Sequence, residues 1–340
     1  MELKKYWVFV ATIVFVCCAF TYQSLHGDKQ ITSLTELEIS LGEAVRNPIE
    51  KADEKLAKIG YKLVTEGKAD FEGNKGKAIS SYFVCTDCHN LKQEYPNLTS
   101  ENPEERLAYA KENDLPFLPA SSFYGIYNRK KFYTKDYVKK YGDLVVDARD
   151  TLENAIQLCA KYCSSGRYLE SWELDAVMHY FKSTELKVSE LNLPANVKSS
   201  FSHLSHMRDE QKMSVLKKVQ SRYTQSYEAT FLPTLLGVER KYGNGGNSKN
   251  GKLIYEKSCL HCHGNARVTY LNLDHSKLDA QMFWRNIDNY TEKSLYQIIR
   301  YGTSPKTGRQ QYMPLYTEEK MSNEQIEDLV AYIKELAGES

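Results

Sequence analysis

The sequence predicts an all-α protein built from two similar halves, and three observations predict it. Apolar residues recur at three- and four-residue spacing, as at Leu56, Ile59, Leu63 and Val64, the signature of an amphipathic helix. A pattern repeats within the chain: Leu174-x-x-Val177-x-x-Tyr180-Phe181 matches Ile326-x-x-Leu329-x-x-Tyr332-Ile333. Each repeat follows a pentapeptide of the same form, Cys85-Thr86-Asp87-Cys88-His89 in one half and Cys259-Leu260-His261-Cys262-His263 in the other.

Both pentapeptides read C-x-x-C-H, the pattern by which a c-type haem is attached. Two thiols at this spacing add to the two porphyrin vinyl groups, and the adjacent imidazole reaches the iron on one face. Cys85, Cys88, Cys259 and Cys262 are therefore the expected attachment sites, with His89 and His263 as proximal ligands. A pair of zinc knuckles, redox dithiols, or one zinc site drawing cysteines from both motifs is the alternative. The trailing histidine in both copies speaks for two haems.

Composition sets the background. The chain has 340 residues, enough for two or three domains at about 150 residues each. Its 45 Lys and Arg against 44 Asp and Glu leave a net charge of +1, so no global field points to nucleic acid. Nothing resembles a Gly-rich phosphate loop or a nucleophile elbow. Eight cysteines divide into Cys17 and Cys18 near the start, four in the motifs, and the pair Cys159 and Cys163. Lys4 and Lys5 precede an apolar run from Tyr6 to Phe20, the charged and apolar regions of an export signal or anchor. Its expected fates are cleavage after Ala19, lipidation at Cys17 or Cys18, or retention as an anchor. Export places the chain in the periplasm or another extracytoplasmic space, where disulfides are permitted.

In chain order, 1–23 reads as signal peptide or membrane anchor and 24–44 as a polar tether. The first domain, 45–183, opens on an amphipathic helix over 49–66 and carries the first motif. A proline-rich surface excursion follows over 90–120, with a helix near 104–112 after Pro103. The next helix, 151–163, stops where Gly166 can supply a left-handed cap, and a helix capped by Ser171 closes the domain. The connector, 184–247, has a helix near 209–223 and ends in Gly243-Asn244-Gly245-Gly246. The second domain, 248–338, runs from Gly251 through its motif to a closing helix begun by Ser322.

Helix, motif, loops and closing helix in each half resemble the class I cytochrome c fold over roughly 45–180 and 248–338. That resemblance implies two such domains joined by a partly helical connector. In the second, Tyr312-Met313-Pro314-Leu315 resembles the loop that supplies a distal thioether in this class, implicating Met313, with Met282 and Met321 as alternatives. The first half has no such Met-Pro. Its run Thr151-Leu152-Glu153-Asn154-Ala155-Ile156-Gln157-Leu158-Cys159, then Gly166 and Glu173-x-x-Ala176, is similar to the dihaem thiosulfate dehydrogenases and the related sulfur-oxidising cytochromes. This resemblance implies Cys159 as the thiolate ligand of the first haem, and a low potential there.

Two departures stand against it. Cys163 lies one helical turn beyond Cys159, so either cysteine could ligate, while an intrahelical disulfide is sterically poor. The substrate-cleft arginine has no clean match; Arg129 and Arg149 are the nearest. His179, His203, His206 and Met207 are fallback ligands, and Lys130 and Lys131 would join Arg149 in any anion site.

Three functions follow. The first is electron transfer between redox partner proteins through two haem irons of different ligation. The second is an oxidoreductase coupling thiosulfate and tetrathionate at haem 1, with Cys159 catalytic and small sulfur oxyanions as substrates. The third is a dihaem peroxidase. The expected cofactors are two covalent c-type haems, membrane contact is expected only through the N-terminal segment, and no nucleic acid is expected as a partner.

Overall fold

A computed structural model describes residues 31–47, 49–73, 75–303 and 312–339 of the chain. The expected export segment lies outside the described residues. The protein is all-α, as its periodicity predicts: no strand forms among the described residues, and an isolated bridge joins Ser33 to Lys187. Among those residues no helix is long and apolar enough to cross a membrane.

Among the described residues the first helix is α1, Leu34–Ser40, begun by Ser33, whose side chain accepts the Glu36 N–H at 3.1 Å. Here the structure departs from the expected tether over 24–44. Leu34, Leu37 and Leu41 are fully buried with Leu191, Val197 and Val219 of the connector. Each such side chain contributes about 1.5–3 kcal/mol on burial, enough to pin a seven-residue helix that could not stand alone.

Helix α2, Glu54–Glu66, begins where the Asp53 carboxylate accepts the N–H groups of Lys55 and Leu56, and ends at Gly67 with φ +71°. Helix α3, Pro103–Glu112, starts at Asn102 with proline in its first turn, as the start signal predicts. It is no surface excursion. Leu107 and Ala110, with Leu115 and Phe117 beyond, are buried in the core of the second half, beside Ile326, Leu329 and Ile333.

Helix α4, Lys135–Tyr141, leads to α5, Leu152–Leu158, which continues into a π-helical turn over Cys159–Cys163. Ser165, not Gly166, takes the left-handed conformation after it, with φ +52°. Gly166 is needed for close approach instead, since a Cβ there would lie 2.4 Å from the Ile79 carbonyl oxygen. Helix α6, Ser171–Ser183, closes the first half; Glu170 rather than Ser171 is its N-cap. The connector carries α7, Ala195–Lys198, and α8, Asp209–Gln220.

Helix α9, Ser248–Ile254, passes through a π turn, Tyr255–Cys259, into α10, Leu260–His263. Helices α11, Lys277–Trp284, and α12, Leu295–Tyr301, precede α13, Asn323–Ala337, whose N-cap Ser322 accepts the Gln325 N–H at 3.1 Å.

The internal repeat has a structural counterpart in two helix crossings. Helix α2 crosses α6 at Gly60, where a Cβ would lie 2.0 Å from the Ala176 carbonyl oxygen and 2.8 Å from the Tyr180 Cβ. Helix α9 crosses α13 at Gly251, where a Cβ would lie 1.9 Å from the Asp328 carbonyl oxygen and 2.9 Å from the Tyr332 Cβ. Ala176 and Tyr180 hold the same repeat positions as Asp328 and Tyr332. Only a residue without a side chain lets the two backbones meet so closely.

Candidate functional site

The site begins with the turns that carry the cysteines. Val84 is extended, and Cys85–Asp87 forms a 3-10 turn closed by the His89 N–H on the Cys85 carbonyl at 3.1 Å. The Asp87 carboxylate accepts the Val84 N–H at 2.8 Å, which fixes the turn. In the second half the π turn feeds Cys259 directly into α10.

Both motif histidines are oriented by one device. The Nδ1 of His89 lies 2.6 Å from the Ser121 carbonyl oxygen, and the Nδ1 of His263 lies 2.9 Å from that of Leu271. A carbonyl only accepts, so each Nδ1 carries the proton and each Nε2 keeps a free lone pair, the arrangement of an oriented metal ligand. Burial pushes His89 down to about 4 and lowers His263 against its bond to Leu271, so both rings are neutral at pH 7. His89 also stacks on Phe123, with centroids 4.2 Å apart, and Phe123 packs on Phe181 of α6. Two thiols and a neutral imidazole with a bare Nε2 fit a c-type haem in each motif.

The structure brings the two motifs into contact. The Cys262 thiol lies 4.0 Å from the Asp87 carbonyl oxygen, and an Arg267 guanidinium nitrogen lies 2.9 Å from the Asp87 carboxylate. The Arg267 Nε donates to the His261 carbonyl, tying the pair back to the second motif. The His261 ring bonds to Thr86 of the first motif, and its Nε2 is buried with no partner among the described residues. Burial, reinforced by Arg267, pushes His261 down to about 4.

Cys159 and Cys163, on the π turn, interact electrostatically with the first motif and with each other. Their side chains are hydrogen-bond partners; Cys159 senses the thiols of Cys85 and Cys88, and the Tyr133 hydroxyl bonds to Cys163. The bond to Cys163 raises the Cys159 thiol together with burial, whereas the bonds to Cys159 and Tyr133 lower the Cys163 thiol against burial. Tyr312, from the second half, donates its hydroxyl to the Cys163 carbonyl at 2.5 Å.

Met313 is held by its backbone. Its N–H donates to Thr303 Oγ1 at 2.7 Å, its carbonyl accepts the Thr303 N–H at 3.0 Å, and Gly302 lies against it. Its half-buried side chain contrasts with Met321, which is fully buried in the apolar core among the α13 residues. Met282 packs at the edge of that core from α11.

The fallback ligands are placed elsewhere. His179 Nδ1 accepts the Asp53 N–H at 2.9 Å, fastening the start of α2, while its Nε2 lies 3.8 Å from Asp175. His203 and His206 are exposed on the connector, and Met207 packs in the connector core. The basic residues are engaged too. Lys130 pairs with Glu43 at 3.0 Å, Lys131 pairs with Asp150, and the Arg149 Nε donates to the Tyr133 carbonyl at 3.1 Å. Arg129 is buried, donates to the Tyr124 carbonyl at 3.1 Å, and lies over the Tyr227 ring at 4.5 Å.

Beside the first motif sits a buried charge network that the sequence did not disclose. Glu94 accepts from Arg106 at 3.0 Å, from Asn90 at 2.8 Å and from the Ser122 N–H at 3.1 Å, with Lys320 at 3.4 Å. Burial alone would raise the Glu94 carboxyl, but Arg106 and Lys320 hold it at about 2. Asn90 adjoins His89, and Ser122 adjoins Ser121, so the network fixes both ends of the His89 hydrogen bond.

Residues 246–333 match the family described as cytochrome C oxidase, cbb3-type, subunit III. The second half is a c-type cytochrome domain. It carries a covalently bound c-type haem with its iron, and electron transfer to and from redox partners is its function. No match is found among curated proteins or among solved structures.

Proposed function

We propose that the chain is an exported dihaem cytochrome that transfers electrons between partner proteins. Cys85 and Cys88 hold one haem with His89 as proximal ligand; Cys259 and Cys262 hold the other with His263. The observation that carries this reading is the shared Nδ1–H···O=C bond of His89 and His263, which prepares the same bare Nε2 in both halves. When bound, each haem supplies a one-electron iron couple. The chain's residues orient the two imidazoles, half-bury them, and hold the two attachment turns together through Asp87 and Arg267.

Different distal groups belong to this reading. Met313 serves the second haem, and the cysteine pair, through Cys159, serves the first. A soft thioether favours ferrous iron and a thiolate favours ferric iron, so one chain holds a high- and a low-potential centre. The carrier reading is preferred to sulfur-oxyanion chemistry because Lys130 and Lys131 are paired with carboxylates. The N-terminal leader directs the chain to the periplasm or another extracytoplasmic compartment.

The test is haem content by pyridine haemochrome on the purified, exported chain. Two haems per chain are expected, falling to one when Cys85 and Cys88 are both replaced by alanine. A value of one in the unaltered chain overturns the dihaem reading.

A further inference from the structure

We propose that Cys159 and Cys163 form a redox-active dithiol, a third centre that exchanges two electrons with the two haems. The inference rests on the dihaem reading and goes beyond it, because Cys163 is superfluous to a chain that needs only one distal thiolate.

Placement comes first. The two side chains are hydrogen-bond partners on one π-helical turn, and Ser164 N–H bonds back to the Cys159 carbonyl at 2.9 Å. Such π turns are rare and concentrate at functional sites. Residues one helical turn apart have Cα atoms about 6 Å apart, inside the range that a disulfide spans. The turn is held in place from outside: the Tyr133 hydroxyl bonds to the Cys163 thiol, and Tyr312 from the other half holds the Cys163 carbonyl at 2.5 Å.

Chemistry comes second. A disulfide closed within one helical turn is strained, and strain makes a disulfide easier to reduce. A structural bridge would be poorly served by that; a centre that cycles is well served. On oxidation both S–H bonds break, one S–S bond forms, two protons leave, and two electrons depart. The haems proposed at the two motifs, if both ferric, would accept those two electrons, one each, so the step balances. The neighbours match this stoichiometry: Cys159 interacts with Cys85 and Cys88, and Cys88 with Cys262 of the second motif. Closing the disulfide also withdraws Cys159 as a ligand, so the dithiol state governs the ligation of the first haem.

The test is an anaerobic coulometric titration of the purified cytochrome, with haem content measured on the same sample. The unaltered chain is expected to take up two electrons beyond one per haem, and Cys163→Ser and Cys163→Ala none beyond the haems. After oxidation with ferricyanide and denaturation, iodoacetamide should label neither Cys159 nor Cys163; after reduction it should label both. Uptake equal to the haem content in the unaltered chain overturns the proposal, as does an excess that persists in both variants. A haem count of one would overturn the dihaem reading by itself, while the electron excess and the labelling still report on the dithiol.

Discussion

Arg267 and Asp87 form an ion pair at 2.9 Å that joins the two C-x-x-C-H turns. Asp87 is the second intervening residue of its motif, and Arg267 is fastened to the carbonyl of His261, the equivalent residue of the other. The Asp87 carboxylate is buried and also accepts the Val84 N–H, whereas Arg267 is 44% exposed. The two partners should therefore respond unequally to removal. Arg267→Ala is expected to cost about 1 kcal/mol, as for a partly solvated pair. Asp87→Ala is expected to cost about 2–3 kcal/mol, because it leaves the Val84 N–H and Arg267 without their acceptor. Urea denaturation of the haem-loaded chain measures both; equal costs would show that the turn does not depend on Asp87.

Gly60→Ala and Gly251→Ala probe the two helix crossings. A Cβ would lie 2.0 Å from the Ala176 oxygen in one and 1.9 Å from the Asp328 oxygen in the other, and each obstruction is backbone that cannot swing aside. Each substitution should cost about 3 kcal/mol or prevent folding. Thermal denaturation followed in the near-ultraviolet checks this, with Gly237→Ala as comparison, because its backbone is not left-handed and the nearest atom to its Cβ position, the Tyr290 hydroxyl oxygen, lies at an ordinary contact distance of 3.5 Å. A loss no larger than that of Gly237→Ala would mean that the crossings are looser than described.

These glycines show what the sequence makes legible. The repeat of Leu174 to Phe181 in Ile326 to Ile333 was visible because a helix writes its buried face at a fixed spacing, and the motif cysteines because both copies keep the same C-x-x-C-H spacing. The leucines 34, 37 and 41 have the same spacing, but the helix they mark is too short to be stable without the connector that covers it. The helix starting at Pro103 was legible from its start signal, yet its burial was not, since charged neighbours mask Leu107 and Ala110. Long-range polar contacts left no trace at all. Nothing near Arg267 announces Asp87, 180 positions away in sequence, and Glu94 does not announce Lys320. The partners of His89 and His263 are backbone carbonyls, which any residue could provide.

Glu94 should make the protein acid-labile over a defined window. Its carboxyl stands at about 2 in the fold against 4.5 for a free side chain. Between these values the unfolded chain binds the extra proton, so stability is full above pH 4.5 and is lost as the pH falls towards 2. The contribution is on the order of 3 kcal/mol. Glu94→Gln leaves Arg106 and Lys320 buried without a counter-charge, and should cost about 3–5 kcal/mol at pH 7. It should also flatten the dependence on pH below 4.5, as measured by urea denaturation across that range. An unchanged acid limb in the variant would assign the lability to other groups.

Met313 offers a test of the second haem that leaves the fold alone. Its backbone is held by Thr303 on both its N–H and its carbonyl, so the loop keeps its course when the side chain is removed. If Met313 is the distal ligand proposed above, Met313→Ala takes from the iron opposite His263 a soft ligand that favours the ferrous state. The midpoint potential of that haem should fall by on the order of 100 mV, within the span of about 0.8 V that axial ligands cover. Haem content should not change, because Cys259 and Cys262 make the covalent attachment. Met321→Leu serves as the control, since Met321 is buried in the apolar core and a similar volume replaces it. A potential that follows Met321 rather than Met313 in spectroelectrochemical titration would reassign the ligand, and one that follows neither would leave Met313 as a packing residue.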